Sequence, residues 1–274
     1  MTPTPAQPAA KRRRFRIHHL AQAKAEGRKL TMLTAYDFQT AQVFDEAGLD
    51  LLLVGDSYGN NMLGYDSTIP VTLEDMMRAT SAVARGAHYA LVVADMPFGS
   101  YEDTPAHAFR SAARLMKAGA QAVKLEGGRP VAPQVKLLTE FGIPVIGHLG
   151  FTPQSENALG GPRIQGREDG AAQRLLDDAL ALQEAGAAAI VLELMPAATA
   201  AFVTSGLKVP TIGIGAGPDC DGQVLVWTDM SGLSASTPKF VKTFGNLRKD
   251  LVDAASAYAL AVRRGTYPDP GHSY

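Results

Sequence analysis

Residues 50–57 read Asp50-Leu51-Leu52-Leu53-Val54-Gly55-Asp56-Ser57. Four apolar residues run without interruption and then stop at a glycine and an acid. An amphipathic strand would alternate, so continuous apolarity implies burial on both faces, the mark of a parallel sheet. The same design recurs in YALVVADMP (89–97), GIPVIGHLG (142–150) and AAAIVLELMP (187–196). Eight such runs are expected as strands, at 30–34, 50–55, 90–95, 122–126, 144–149, 189–193, 210–214 and 222–226.

Helical stretches separate them. The stretch 72–85 opens on Thr72 with Glu74 and Asp75 in its first turn and stops at Gly86. Stretches 104–118, 130–141 and 167–185 end at Gly119, Gly142 and Gly186, 196–205 is shorter, and a long helix is expected over 240–264. An additional helix at 17–25 is placed under the barrel. Strands alternating with helices give an α/β chain, a (β/α)8 TIM barrel, in preference to an open doubly wound sheet.

The chain has 274 residues, 46% of them hydrophobic and 19% charged, which suits one barrel with a large core. We read 1–16 as a flexible basic tail and 17–274 as a single catalytic domain. The tail carries Lys11-Arg12-Arg13-Arg14-Phe15-Arg16 and no acid before Glu26, yet its prolines and lack of serine fit a targeting helix poorly. A net charge of −1 gives no global attraction to nucleic acid or an anionic membrane. The single cysteine, Cys220, excludes an intramolecular disulfide, and no apolar run spans a bilayer. A cytoplasmic setting is expected.

In such barrels the chemistry lies at the C-terminal strand ends. Those ends carry Asp56 and Ser57, Asp95, Lys124 with Glu126 on one strand face, His148, and Glu193. Ionisable groups in buried strands are costly unless paired or metal-bound. Asp56, Asp95 and Glu126 together form an oxygen-rich set suited to Mg2+, with no cysteine or second histidine to suggest zinc. The stretch Gly213-Ile214-Gly215-Ala216-Gly217 looks like a dinucleotide loop, but a strand follows it where a helix is required, so we read it as a rim turn.

These residues sit in longer stretches: Met32-Leu33-Thr34-Ala35-Tyr36-Asp37, Val54-Gly55-Asp56-Ser57, Ala94-Asp95-Met96-Pro97-Phe98-Gly99-Ser100-Tyr101, Val123-Lys124-Leu125-Glu126-Gly127-Gly128, Gly147-His148-Leu149-Gly150 with Thr152-Pro153-Gln154, and Val191-Leu192-Glu193. In them the chain resembles the ketopantoate (3-methyl-2-oxobutanoate) hydroxymethyltransferase family. The resemblance implies a TIM barrel of the phosphoenolpyruvate/pyruvate type. It implies Mg2+ on Asp56, Asp95 and Glu126, a keto acid contacted by Asp56, Ser57, Asp95 and Lys124, and Glu193 as general base. It also implies 5,10-methylenetetrahydrofolate as carbon donor, a role in pantothenate synthesis and a homodecamer. His148 is expected to steady substrate or bound water, the alternative being a hydrogen-bonded rim histidine without a part in the chemistry. Departures from the family pattern are the polar loop Tyr58-Gly59-Asn60-Asn61-Met62, Leu194-Met195 after the glutamate, and Asp219, and the first of these leaves the folate contacts open. The rival readings are a carbon–carbon lyase or mutase of the same barrel type, which would want a cysteine on a mobile loop, and a non-catalytic binding module.

Overall fold

The computed structural model describes residues 13–274. Its centre is a closed barrel of eight parallel strands in sequence order. The strands are β1 (Leu30–Thr34), β2 (Leu51–Val54), β3 (Leu91–Asp95), β4 (Ala122–Glu126), β5 (Val145–Gly150), β6 (Ala189–Glu193), β7 (Thr211–Ile214) and β8 (Gly222–Leu225). Each coincides with an expected run to within one residue at either end.

Burial on both faces has a simple origin. One set of side chains faces the helices: Leu52, Val54, Val92, Ala94, Val123, Leu125, Ile190 and Leu192 belong to the outer core. The alternate set, Leu51, Leu53, Leu91, Val93, Ala122, Ile146, Ala189 and Val191, fills the barrel interior. A strand repeats every two residues, so the inward parity continues to Asp95, Lys124, Glu126, His148 and Glu193 at the strand ends. The apolar plug thus gives way to a charged layer at the C-terminal mouth.

The helices follow their caps. Thr72 and Asp75 form a reciprocal capping box at the start of α3 (Leu73–Gly86). Thr104 caps α4 (Pro105–Ala118), with Pro105 in the first turn and Gly119 left-handed at the end. One earlier helix, α2 (Phe38–Ala47), was not expected; the Asp37 carboxylate accepts from the Gln39 and Thr40 N–H groups, and Gly48 closes it at φ 83°. The helix expected over 167–185 begins later, at Ala171, because Gly170 adopts φ 73°.

The chain divides into two compact units, one running to Val224 and one from Leu225 to Tyr274. The second contains a short helix, Trp227–Met230, and the helix Leu247–Arg263. A continuous helix over 240–264 is therefore not formed: Gly245 and Asn246, the latter at φ −136°, stop it short of Phe240. No residue of the Leu247–Arg263 helix is buried.

The basic tail needs a shorter boundary than 1–16. Residues 1–12 lie outside the described residues. Phe15 is only 4% exposed and packs into the interior cluster with Leu20 and Ala23 of α1 (His18–Ala25). Its N–H donates to Tyr89 O (2.7 Å), and Arg14 donates to Gln121 Oε1 (3.2 Å). An aromatic ring within a basic run follows the hydrophobic plug, not its charged neighbours. Phe15→Ala is expected to lower stability by about 3–5 kcal/mol, measured by chemical denaturation, as for a buried aromatic elsewhere; a loss under about 1 kcal/mol would show that the ring only rests on the surface.

Candidate active site

Inward parity brings most of the expected residues together. Strand pairing sets Asp95 against Lys124 and Glu126 against His148. The Lys124 ammonium lies 3.0 Å from Asp95 Oδ1 and 3.2 Å from His148 Nδ1. The same ring nitrogen is 3.3 Å from Glu126 Oε1, and His148 Nε2 is 3.1 Å from Glu193 Oε2. Lys124, Glu126, His148, Asp56 and Asp95 are all at most 5% exposed. The Glu193 side chain, at 17%, is the open one.

Asp56 does not share the strand parity. It lies two residues beyond β2, where its N–H donates to Asp95 Oδ2 (3.0 Å). Ser57 follows, its hydroxyl paired with the buried Tyr36 hydroxyl at 2.8 Å. His148 bridges Glu126 and Glu193, which builds it into the charged layer.

Three supporting residues escaped the sequence reading as site residues. Gln154 is 6% exposed on the turn after β5. Its amide donates to Asp56 Oδ2 (2.8 Å) and Met96 O (2.9 Å), and its backbone N–H donates to Glu126 Oε2 (3.0 Å). Gln154 Oε1 accepts from the Tyr101 hydroxyl (2.7 Å), whose oxygen accepts from the Glu126 N–H (3.2 Å). Tyr36 is the third. All three occur in the motif stretches, but none ends a strand, so the strand-end criterion passed over them. An uncharged polar residue in a loop carries little signal by itself.

Electrostatics follow from burial of like charges. Burial, then Asp95 and Glu126, push Asp56 up to about 8, against Lys124 and Gln154. Burial likewise raises Asp95, opposed mainly by Lys124. For Lys124, burial disfavours the ammonium, but Asp95, Glu126 and Asp56 outweigh it and raise its pKa. Burial and Lys124 act against a charged His148; the Glu126 and Glu193 carboxylates prevail and hold it at about 9. Glu126 stays below the usual range: burial opposes this, and His148 and Lys124 overcome it.

The donor set fits a hard dication. Asp95 Oδ1 and Glu126 Oε1 stand at ion-pair distance from Lys124 and His148 yet accept no well-directed hydrogen bond. Carboxylate oxygens in excess of cations are what Mg2+ seeks, and Mg2+ keeps several waters of its own. Among the described residues no three acidic, histidine or cysteine groups stand together as a finished ligand shell. Each carboxylate is instead turned to its own partner: Gln154, Lys124 or His148.

Behind Glu193 the backbone is strained. Leu194 has φ 46°, the one non-glycine residue with positive φ among those described. Leu194 N–H donates to Ile214 O (2.9 Å), and Gln165 N–H donates to Leu194 O (2.8 Å). Gly213 and Ile214 end β7, and Gly215–Gly217 turn toward β8 without opening a helix. Cys220 is fully buried, so it is not the exposed loop nucleophile of a lyase.

Residues 14–270 match the profile of ketopantoate hydroxymethyltransferase. The chain belongs to this family. Curated relatives named 3-methyl-2-oxobutanoate hydroxymethyltransferase include one from Acidothermus cellulolyticus, 59% identical over 96% of this chain and 97% of the relative. Another, from Thermobifida fusca, is 57% identical over 100% and 98%. The chain is therefore a hydroxymethyltransferase. Among solved structures, phosphonopyruvate hydrolase in complex with oxalate and Mg2+ aligns with a TM-score of 0.61 at 16% identity, covering 93% of this chain and 92% of that one. A 2,3-dimethylmalate lyase of the PEP mutase/isocitrate lyase superfamily aligns at 0.58 and 17%, covering 93% and 92%. These two share the barrel fold of this family member.

The raised values have a consequence for stability. Asp56 and His148 both titrate above their ordinary values of 3.8 and 6.5. A raised folded pKa means the fold prefers the protonated form, so that contribution is full below the unfolded value and lost as pH rises through the folded one. In chelator, the melting temperature is expected to fall from pH 6.5 to pH 9, with His148→Asn flattening part of the slope. If Asp56 holds a divalent cation it must be ionised to do so, and the stabilisation given by added Mg2+ should then grow over the same interval. Scanning fluorimetry at fixed ionic strength reads both trends, and a flat profile would contradict the charge assignment.

Proposed function

We propose that this family member attaches a hydroxymethyl group to C3 of 3-methyl-2-oxobutanoate, giving ketopantoate, with 5,10-methylenetetrahydrofolate as carbon donor and Mg2+ as cofactor. The observation that carries the reading is the pairing of a closed acceptor half, Asp95–Lys124–Glu126, with a more open carboxylate, Glu193, through one histidine. The names of the relatives support the substrate. The same reading includes pantothenate synthesis, a cytoplasmic setting and a homodecamer, none of which bears on the chemistry below.

The reaction requires loss of a proton from a carbon next to a ketone. A Mg2+ ion held by Asp56, Asp95 and Glu126 would supply Lewis-acid polarisation of the keto oxygen, worth several kcal/mol. Lys124, kept charged by its carboxylate neighbours, binds the substrate carboxylate. Ser57, oriented by Tyr36, adds a hydroxyl to the same group. Gln154 holds Asp56 and Glu126 in place from behind. Glu193 takes the C3 proton, and His148 fixes the direction of its carboxylate through Nε2. The buried floor shields the resulting carbanion from bulk water. One water would release the methylene carbon from both folate nitrogens as formaldehyde, leaving tetrahydrofolate; the carbanion then forms the C–C bond to that carbon as its C=O bond opens, and the new alkoxide takes up a proton to give the hydroxymethyl group.

The decisive experiment needs no donor. Wild type in D2O with Mg2+ should exchange the C3 hydrogen of the keto acid, followed by proton NMR. Glu193→Gln should bind Mg2+ and keto acid as wild type does but exchange about 10²–10⁴-fold more slowly, the usual worth of a positioned base. Exchange at the wild-type rate would remove Glu193 from the role.

The metal is tested separately. Excess chelator should abolish exchange and Mg2+ restore it. By calorimetry, Asp95→Ala should bind Mg2+ about tenfold more weakly or worse. Full exchange in chelator would sink the metal assignment.

A further inference from the structure

A side-chain amide can face two ways, and Gln154 holds Asp56 in only one of them. Its two hydrogens go to acceptors, Asp56 Oδ2 at 2.8 Å and Met96 O at 2.9 Å. Turned over, the amide would set its oxygen against the Met96 carbonyl and withdraw its hydrogens from Asp56. How firmly the working orientation is kept depends on what meets the amide oxygen on the other side. Among the described residues that oxygen has one partner, the Tyr101 hydroxyl at 2.7 Å.

The hydroxyl hydrogen has a defined destination. Tyr101 Oη accepts the Glu126 N–H at 3.2 Å, and the Glu126 carbonyl, also 3.2 Å away, is a poorer target than Gln154 Oε1. The root of the ring is tied at both backbone ends. Tyr101 N–H donates to Glu102 Oε2 (3.0 Å), while Gly99 N–H donates to the other oxygen of that carboxylate (3.0 Å). Tyr101 O accepts from the Gln134 amide on α5 (Ala132–Glu140) at 3.3 Å, and the same amide donates to Glu102 O at 3.2 Å. Directed hydrogen bonds thus run from Gln134 through Tyr101 and Gln154 to Asp56. All four residues are buried, so a partner lost from this chain is not replaced by bulk water.

We infer that Tyr101 is a positioning residue for the charged layer: its hydroxyl fixes the direction of the Gln154 amide and, through it, the place of the Asp56 carboxylate. The inference rests on the Mg2+ reading above. It extends the apparatus that prepares the acids from the barrel mouth outward to a helix of the outer layer, and it gives the tyrosine a part that a well-packed core ring would not have.

A double-mutant cycle on Mg2+ affinity, read by calorimetry, tests it. Y101F keeps the ring and removes the hydroxyl, and Q154L removes the amide. Each should weaken Mg2+ binding about tenfold or more, the usual worth of a group behind a metal ligand. Because Tyr101 acts through Gln154, Y101F/Q154L should bind about as Q154L does, whereas independent effects would multiply to about a hundredfold. In Y101F, donor-free deuterium exchange should return to the wild-type rate at saturating Mg2+, since Tyr101 has no part in the proposed proton transfer. Its melting temperature in chelator should stay within about 10 °C of wild type. Y101F binding Mg2+ as tightly as wild type overturns the inference and leaves the metal reading standing. A multiplicative double variant overturns it too, as does an exchange deficit that excess Mg2+ does not repair. A Y101F chain that fails to fold makes the tyrosine a core brace and overturns it as well. Wild type that binds no Mg2+ overturns the metal reading and this inference with it.

Discussion

Three carboxylates and one lysine are buried together in the top layer of the barrel, and the rest of the mouth is arranged around their mutual repulsion. Two like charges 4 Å apart at an effective dielectric near 20 oppose each other by about 4 kcal/mol. Asp56 and Asp95 are both driven above the ordinary carboxylate range, first by burial and then by that repulsion. The barrel tolerates the layer because its own strand period places Lys124 and His148 among the acids. Both cations are held charged by the groups they compensate. The layer is thus held together by two cations that its own acids keep charged.

Neutral groups do the remaining work. Gln154 spends both amide hydrogens, its amide oxygen and its backbone N–H on Asp56, Met96, Tyr101 and Glu126. A charged residue in its place would alter the balance that the layer depends on. An apolar one would leave several buried partners unsatisfied, at about 1–3 kcal/mol each. The two-residue offset of Asp56 from β2 has the same logic. From there it donates its own N–H to Asp95 and presents its side chain to Gln154, which an inward strand position would not allow.

What the sequence makes legible follows from this physics. The eight strands are readable because double burial demands unbroken apolar runs, and the acids and bases of the mouth are readable because each breaks such a run at its end. Asp95, Glu126 and Glu193 obey that rule, while Lys124 lies mid-strand in β4 and His148 two residues before the end of β5, each readable as a charge within an apolar run. Asp56 and Ser57 were found by a motif as much as by position. Gln154, Tyr101 and Tyr36 were not legible as site residues, because a polar loop residue looks the same whether it meets water or a buried carboxylate. Helix α2 went unseen although Asp37 and Gly48 mark its ends, since its ten residues bury only Ala41 and show little periodicity. The stretch 240–246 looked helical by continuity of composition, and the local preference of Gly245 and Asn246 overrode it. Phe15 was misplaced for the opposite reason, as a single buried ring hidden among arginines.

The division of the mouth into a sealed half and an open half accounts for the strain behind Glu193. Leu194 pays for a left-handed backbone, a conformation that costs on the order of 1–3 kcal/mol in a non-glycine residue. It is kept there by hydrogen bonds from its N–H to β7 and to its carbonyl from Gln165 of the neighbouring loop. The chain therefore turns sharply immediately after Glu193. On its other side, Gly150 lies so close that a Cβ would stand 2.1 Å from the Glu193 carbonyl oxygen. Glu193 is pinned between a strained turn and a strand end that admits only glycine. Beside the deeply buried Asp95, Lys124, Glu126 and His148, the Glu193 side chain stays partly open at 17%. The role we propose for Glu193 needs such a group: rigid enough to address one carbon of the small substrate, and open enough for a second substrate to arrive beside it.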